Sequence, residues 1–277
     1  MRRFCCAVLL LCLLPLAGAR AAGYDDFAHG VTANAQGQRD AAIGFFSAAI
    51  AAGDLSPALL PEAYRGRGTA YFFKKQCGEA LADADRALQL KPGTAQLLWL
   101  HAAAAECAGK LDLALADYTA LILLNEGVDP FWKRGHLLWR KADYGGAAAD
   151  FAQVVRLKPD YAYGVLWLDV TRARAGMLDP AAAISGLQAL PGHDWPQPVI
   201  AVYAGRAKPD DVAAAVAQGG KPSVADRQCE ADFYLAEWWL GQKDEASARP
   251  LLERAAAQCT HDYIEYSASS LELERLK

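Results

Sequence analysis

The sequence predicts an all-α protein built of stacked helical hairpins, and two observations carry that prediction. Alanine makes up about a fifth of the 277 residues while glycine (23) and proline (13) stay near average, which favours helix over sheet. Small residues also recur at a nearly fixed spacing. Ala42, Ala80, Ala114, Ala147 and Ala181 stand 38, 34, 33 and 34 residues apart. A period of that length marks an array in which each hairpin buries its apolar face against its neighbours.

Met1 to Ala22 precedes the array and reads as an export signal. Arg2 and Arg3 form a charged start, Phe4 to Leu14 an apolar run, and Ala17-Gly18-Ala19 and Ala19-Arg20-Ala21 small-residue cleavage sites between Ala19 and Ala22. Eleven apolar residues are too few to cross about 30 Å of hydrocarbon, and no later run is longer, so no transmembrane segment is expected in the mature chain. Cys5, Cys6 and Cys12 lie within or before the apolar run rather than after a lipoprotein cleavage motif, so no lipid anchor is expected. The exported chain would be periplasmic. Its formal charge, −4 for the whole sequence, falls by three more with Arg2, Arg3 and Arg20. An acidic chain with no Lys/Arg run longer than two offers no footprint for a nucleic acid.

Residues 23–190 hold the repeats. Tyr64, Gly68, Tyr71, Ala80, Ala87 and Pro92 occupy six positions of a W-x2-LG-x2-Y, A-x3-F, P pattern, and Phe131, Gly135, Leu138, Ala147, Phe151 and Pro159 occupy the same offsets one array step later. This pattern and its period resemble the tetratricopeptide repeat, an α-α superhelix of which the chain holds about five to six units. Weaker units surround Ala42 (Gly30, Gly37, Phe46, Ala49) and Ala114 (Leu98, Ala102, Gly109, Tyr118). Small residues at the eighth and twentieth places let paired helices approach, large ones fill the seam, and the terminal proline stops the second helix. The fifth unit keeps Gly176 and Ala181, but Asp169 stands where a small residue is expected and Ser185 where an aromatic is. Residues 191–227 break the period with five prolines around two short apolar segments, a helical insert. Residues 228–277 resume it with Leu235, Ala236, Trp239, Ala248, Leu252 and Ala255, followed by an amphipathic helix from Tyr263 to Leu276 expected to cap the array.

Signal removal leaves Cys77, Cys107, Cys229 and Cys259 in an oxidising compartment. In the repeat register Cys77 and Cys107 lie on one edge of the stack, and Cys229 and Cys259 at adjoining helix ends, so pairing 77 with 107 and 229 with 259 is predicted; free buried thiols are the other reading. No ligand cluster for a metal, no cofactor motif and no hydrolase, metalloprotease or phosphate-loop motif occurs, so an enzyme is not expected. His101, at a seam position, reads as a packed imidazole.

The inner-face positions of the first helices are rich in aromatics. Arg65, Thr69, Phe72 and Phe73 line one unit, Gln96, Trp99, Ala103 and Glu106 the next, and Trp132, His136, Trp139 and Arg140 the third. Aromatic and arginine side chains anchor protein interfaces, so these residues predict a concave groove for a protein partner; packing of the same rings between neighbouring helices is the alternative. Longer phrases that go beyond a generic repeat match are similar to the NlpI-type family of periplasmic tetratricopeptide proteins: Leu166-Trp167-Leu168, Trp195-Pro196, Val199 to Gly205, Phe233 to Ala236, Tyr263 to Tyr266 and Leu271-Glu272-Leu273. That resemblance implies a curved scaffold, often a homodimer, that brings peptidoglycan hydrolases to an envelope protease. The chain departs from the family in lacking its lipid-bearing cysteine. A scaffold of this kind, or a structural or assembly component of an envelope or secretion complex, is the expected function.

Overall fold

The computed structural model describes residues 22–277 apart from 193, 219, 220, 261 and 262; the expected export signal, residues 1–22, lies outside the described residues except for Ala22. Fifteen α-helices and one 3-10 turn occur among them, and no strand does. The chain divides into two compact units, one ending at Ala108 and the other Gly109–Lys277. The first holds α1 (Ala22–Ala35), α2 (Arg39–Ala52), α3 (Leu59–Phe73), α4 (Cys77–Leu90) and α5 (Ala95–Cys107). The second holds α6 (Leu111–Leu123), α7 (Asp129–Arg140), α8 (Tyr144–Leu157), α9 (Ala162–Arg174) and α10 (Pro180–Ala189), then the insert helices α11 (Gln197–Tyr203) and α12 (Val212–Ala217), and finally α13 (Val224–Gly241), α14 (Glu245–Gln258) and α15 (Ile264–Arg275).

Within a hairpin the turn is the same each time. Lys75, Ala142 and Lys243 sit in the left-handed region at φ 59, 59 and 63°, and the next residue's N–H reaches back to a carbonyl five residues earlier: Gln76 to Tyr71, Asp143 to Leu138, Asp244 to Trp239. Five residues after the left-handed residue comes a fully buried alanine, Ala80, Ala147 or Ala248. Gly37 and Gly109 play the turn role before Ala42 and Ala114.

The fifth unit departs from this spacing, and the sequence alignment on Ala181 is corrected there. Ala181 is exposed and Ala183 is buried, seven residues after Gly176. Asp179 accepts a hydrogen bond from the Ala181 N–H (2.9 Å) and Pro180 opens α10, so the helix starts two residues later than the period requires. Leu187, not Ser185, therefore stands at the aromatic position.

Each unit has its own core. In the first, the Phe46 ring fills a slot between α1 and α3, where only glycine leaves room: a Cβ on Gly30 would come within 2.9 Å of the ring and one on Gly66 within 2.3 Å. In the second, Trp139, Phe151, Trp167, Phe233 and Tyr234 form a buried aromatic column, with Trp139 and Trp167 centroids 5.6 Å apart and Trp167 and Phe233 5.8 Å apart. The insert packs against this core. Tyr203 donates to the Tyr234 carbonyl (2.6 Å), and Arg227 holds the carbonyls of Ala215 and Lys221. The disulfides Cys77–Cys107 and Cys229–Cys259 have Cα separations of 5.5 and 5.2 Å, inside the range an unforced bridge needs.

Candidate interaction surfaces

Two polar contacts repeat along the chain and set how one hairpin meets the next. Arg67 forms a fork on Asp83 (2.8 and 2.8 Å) and reaches Ser47 of the preceding hairpin (3.1 Å). Arg134 does the same with Asp150 (2.8 and 2.7 Å) and Thr119 (3.0 Å). Asp83 and Asp150 are buried, at 5% and 3% exposure, so the guanidinium is their counter-charge; its pKa is raised first by the hydrogen bond to the aspartate. Lys74 pairs with Asp40, and at the equivalent place Lys141 pairs with Asp112 (2.7 Å). None of these residues was singled out from the sequence. The signal was present: Arg-Gly at 67–68 and 134–135, each 16 residues before the aspartate of an Ala-x-Ala-Asp tetrad. His101, at the arginine's place in the intervening unit, is buried with Nε2 2.9 Å from Asp85 Oδ1.

The predicted groove residues fare differently in the two units. In the second unit the expectation of a partner-binding groove is corrected for His136 and Trp139. They are 5% and 1% exposed, so neither presents its ring to open solvent. Trp132 is half-buried against His136, Phe151 and Tyr161, with centroids 4.4, 5.5 and 5.2 Å away. Desolvation among these rings pushes the His136 imidazole down to about 3, so it is neutral at ordinary pH.

The cause of that burial is partly α15, which was expected to cap the end of the array. It packs on α14 and α13, as a terminal cap does, and its C-terminal end also reaches α7. Arg275 donates to the Trp139 and Arg140 carbonyls (3.3 and 2.5 Å), occupying the last turn of α7, and its guanidinium lies 5.3 Å from the Trp139 ring. Glu272 is fully buried between Arg275 and Arg174 (3.0 Å to the latter), and Arg174 also binds Glu237 (2.7 Å) and the Tyr144 hydroxyl (2.6 Å). Two acids and two arginines thus balance inside the protein. Burial pushes the Glu237 carboxyl up to about 7, although Arg174 opposes the rise, and pushes the Tyr144 phenol up to about 12. His136, Trp139 and half-buried Arg140 border a cavity of about 440 Å³ left between α7 and α15.

The first unit keeps its predicted residues nearer the surface. Phe73 is 57% exposed at the end of α3, with Phe72 edge-on to it (5.7 Å) and the Arg39 guanidinium 4.3 Å over its ring. Arg65 binds Glu62 at 2.7 Å with its side chain 41% exposed, and Trp99 and Glu106 are half-buried on α5, which packs on α3. Among the described residues no group of three or more potential metal ligands comes together, and no helix is long and apolar enough to cross a membrane.

The arrangement of hairpins is similar to that of a tetratricopeptide repeat protein from Parabacteroides merdae, at 15% identity over 91% of this chain and 99% of that one, with a TM-score of 0.60. The fold is a tetratricopeptide fold. The same tetratricopeptide stacking relates the chain to the C-terminal part of a repeat protein from Cytophaga hutchinsonii (15% identity, 91% and 89% covered, TM-score 0.53) and to PilF of Pseudomonas aeruginosa (13%, 92% and 98%, 0.51). No protein-family model and no curated protein matches the sequence.

Proposed function

We propose that this tetratricopeptide protein is an exported, non-enzymatic scaffold that binds a protein partner on the first-helix face of its first unit. The observation that carries the reading is the contrast between the units. His136 and Trp139 of the second are buried in its own core, whereas Phe73 of the first is exposed and Phe72, Arg65, Trp99 and Glu106 are half-buried. A pair of phenylalanines with the Arg39 guanidinium over one ring suits an extended or helical segment carrying apolar and acidic side chains. Two disulfides, one per unit, favour an oxidising compartment and support the export reading. The resemblance to NlpI-type proteins makes a peptidoglycan enzyme or an envelope protease the first partner to look for.

The test is cross-linking in intact envelopes with a photoreactive residue at position 73, alongside capture with Phe73→Ala and Arg65→Glu variants. A partner lost by both variants and retained by Trp132→Ala supports the reading. Recovery of the same partners by all three removes the first-unit face from consideration.

A further inference from the structure

The tetratricopeptide repeat supplies an internal comparison for every position, and one position breaks it in a way that packing does not account for. Where the first helix of each hairpin crosses its partner, the chain carries Gly30, Gly68, Ala102, Gly135 and Ala236, all buried. The fifth unit carries Asp169, 1% exposed. Its Oδ2 has no hydrogen-bond partner. Other buried acids of the second unit, Asp150, Glu230, Asp232, Glu237, Glu265 and Glu272, each meet a phenol, an indole or a guanidinium; Asp169 does not. An unmatched carboxyl in such a place destabilises the fold, which is the common signature of a site kept for a ligand.

A cavity adjoins it. The two-residue delay in α10 leaves a cleft of about 540 Å³ bounded by α8, α9 and α10. Asp169 lines it together with aliphatic Val155, Leu168 and Ala189, and Arg156 and Arg172 also border it. Arg156 bonds Gln153 through Nε (2.8 Å). We propose that this cleft binds a small aliphatic molecule with an ammonium at one end and a carboxylate at the other, the chemistry of a lysine side chain and an acid group. The ammonium supplies the donors that Asp169 lacks, the methylenes lie along the apolar wall, and the carboxylate meets Arg156 and Arg172. Burial holds the Asp169 carboxyl up at about 7, and an ammonium seated beside it would bring that value down. This site is separate from the proposed partner face in the first unit and stands or falls without it.

The experiment is calorimetric titration of the oxidised full-length protein, above neutral pH, with 6-aminohexanoate, hexylamine and hexanoate. The expected result is saturable binding of 6-aminohexanoate, with each one-ended probe at least tenfold weaker. Asp169→Asn should weaken 6-aminohexanoate at least tenfold, and Arg172→Gln should weaken it without changing hexylamine. Asp169→Ala restores the residue size of the other units; it should melt higher than the wild type and bind none of the probes. Free lysine against an acetylated peptide ending in lysine then separates a metabolite from a chain terminus, the tighter binder naming the source. Absence of binding by every probe at millimolar concentration, equal binding by Asp169→Asn, or a lower melting temperature for Asp169→Ala each overturns the proposal.

Discussion

Glu272 offers the most direct test of how α15 is held. Its carboxylate is fully buried and touches Arg275 on its own helix and Arg174 on α9, while Glu237 supplies the second negative charge and Tyr144 a shared hydroxyl. Replacing Glu272 by Gln keeps the shape and removes one charge, leaving two guanidinium groups against Glu237 alone. Breaking a buried pair from one side costs about 3–5 kcal/mol, because the remaining charge stays desolvated. An exposed pair such as Lys141–Asp112, where the aspartate side chain is 86% exposed, is worth about 0–1 kcal/mol. Hydrogen exchange read on α15 peptides suits the measurement, since stacked repeats open locally and a global melting curve would mix the two units. Near pH 8 Glu237 is ionised, being above the value of about 7 at which it titrates. Under those conditions Glu272→Gln should lose about 3 kcal/mol of protection in α15 and Asp112→Asn less than about 1 kcal/mol. The double variant Glu272→Gln/Arg275→Gln removes one charge of each sign and should recover at least half of the loss. If the double variant is as damaged as the sum of its parts, the charges are not coupled and the network does not hold the helix.

Removing either disulfide should act on one unit only: Cys229→Ser/Cys259→Ser lowers exchange protection in the second unit by roughly 3.6 kcal/mol, and Cys77→Ser/Cys107→Ser does the same in the first. Gly66→Ala should destabilise the first unit by about 1–3 kcal/mol, since its Cβ meets the Phe46 ring at 2.3 Å, whereas Gly44→Ala, with nothing within 4 Å, should stabilise α2 by about 0.5–1 kcal/mol; urea midpoints distinguish them. The second unit should melt at a lower temperature as the pH rises through neutrality. Asp169, Glu230 and Glu237 have folded values raised to about 7 by burial, so the folded state holds protons that the unfolded state releases near 4, and that advantage is lost as pH climbs toward 7 and above. Glu230→Gln should flatten that slope; an unchanged slope would show that these carboxyls do not set it.

How far the sequence could be read depended on whether a feature was local. The turn residues, the buried alanines and the cysteine register follow from spacing within one or two units, where helix geometry leaves few choices, and the structure places Cys77 beside Cys107 and Cys229 beside Cys259. The start of α10 was also legible, in Asp179-Pro180, a cap followed by a proline that fits the first helical turn. It was missed because the period was extended unchanged through Gly176, and the two extra residues at Met177 and Leu178 moved the buried alanine from 181 to 183. The burial of His136 and Trp139 was not legible. Position in a repeat says which face a side chain takes, but what covers that face is α15, whose Arg275 lies more than 130 residues further along the chain. Extending the inner-face positions into the fifth and last units would have picked out Arg174 and Glu237, and with them a charged centre rather than an aromatic groove.

The repeat is informative chiefly where it fails. Arg67 with Asp83 and Arg134 with Asp150 hold nearly identical geometry in different units, so that clamp belongs to the architecture and its variation should change stability without changing what the protein binds. Asp169 has no counterpart among five sister positions, and the Arg174–Glu237 pair between α9 and α13 gains a third member, Glu272, from α15. A residue that costs the fold stability at a place where alanine or glycine serves every other hairpin is not there for packing. The same comparison divides the chain by role. The first unit keeps Phe73 exposed, and the second buries His136 and Trp139 and holds an unmatched acid beside a cleft, which is why the two proposals place a protein partner on one and a small ligand in the other.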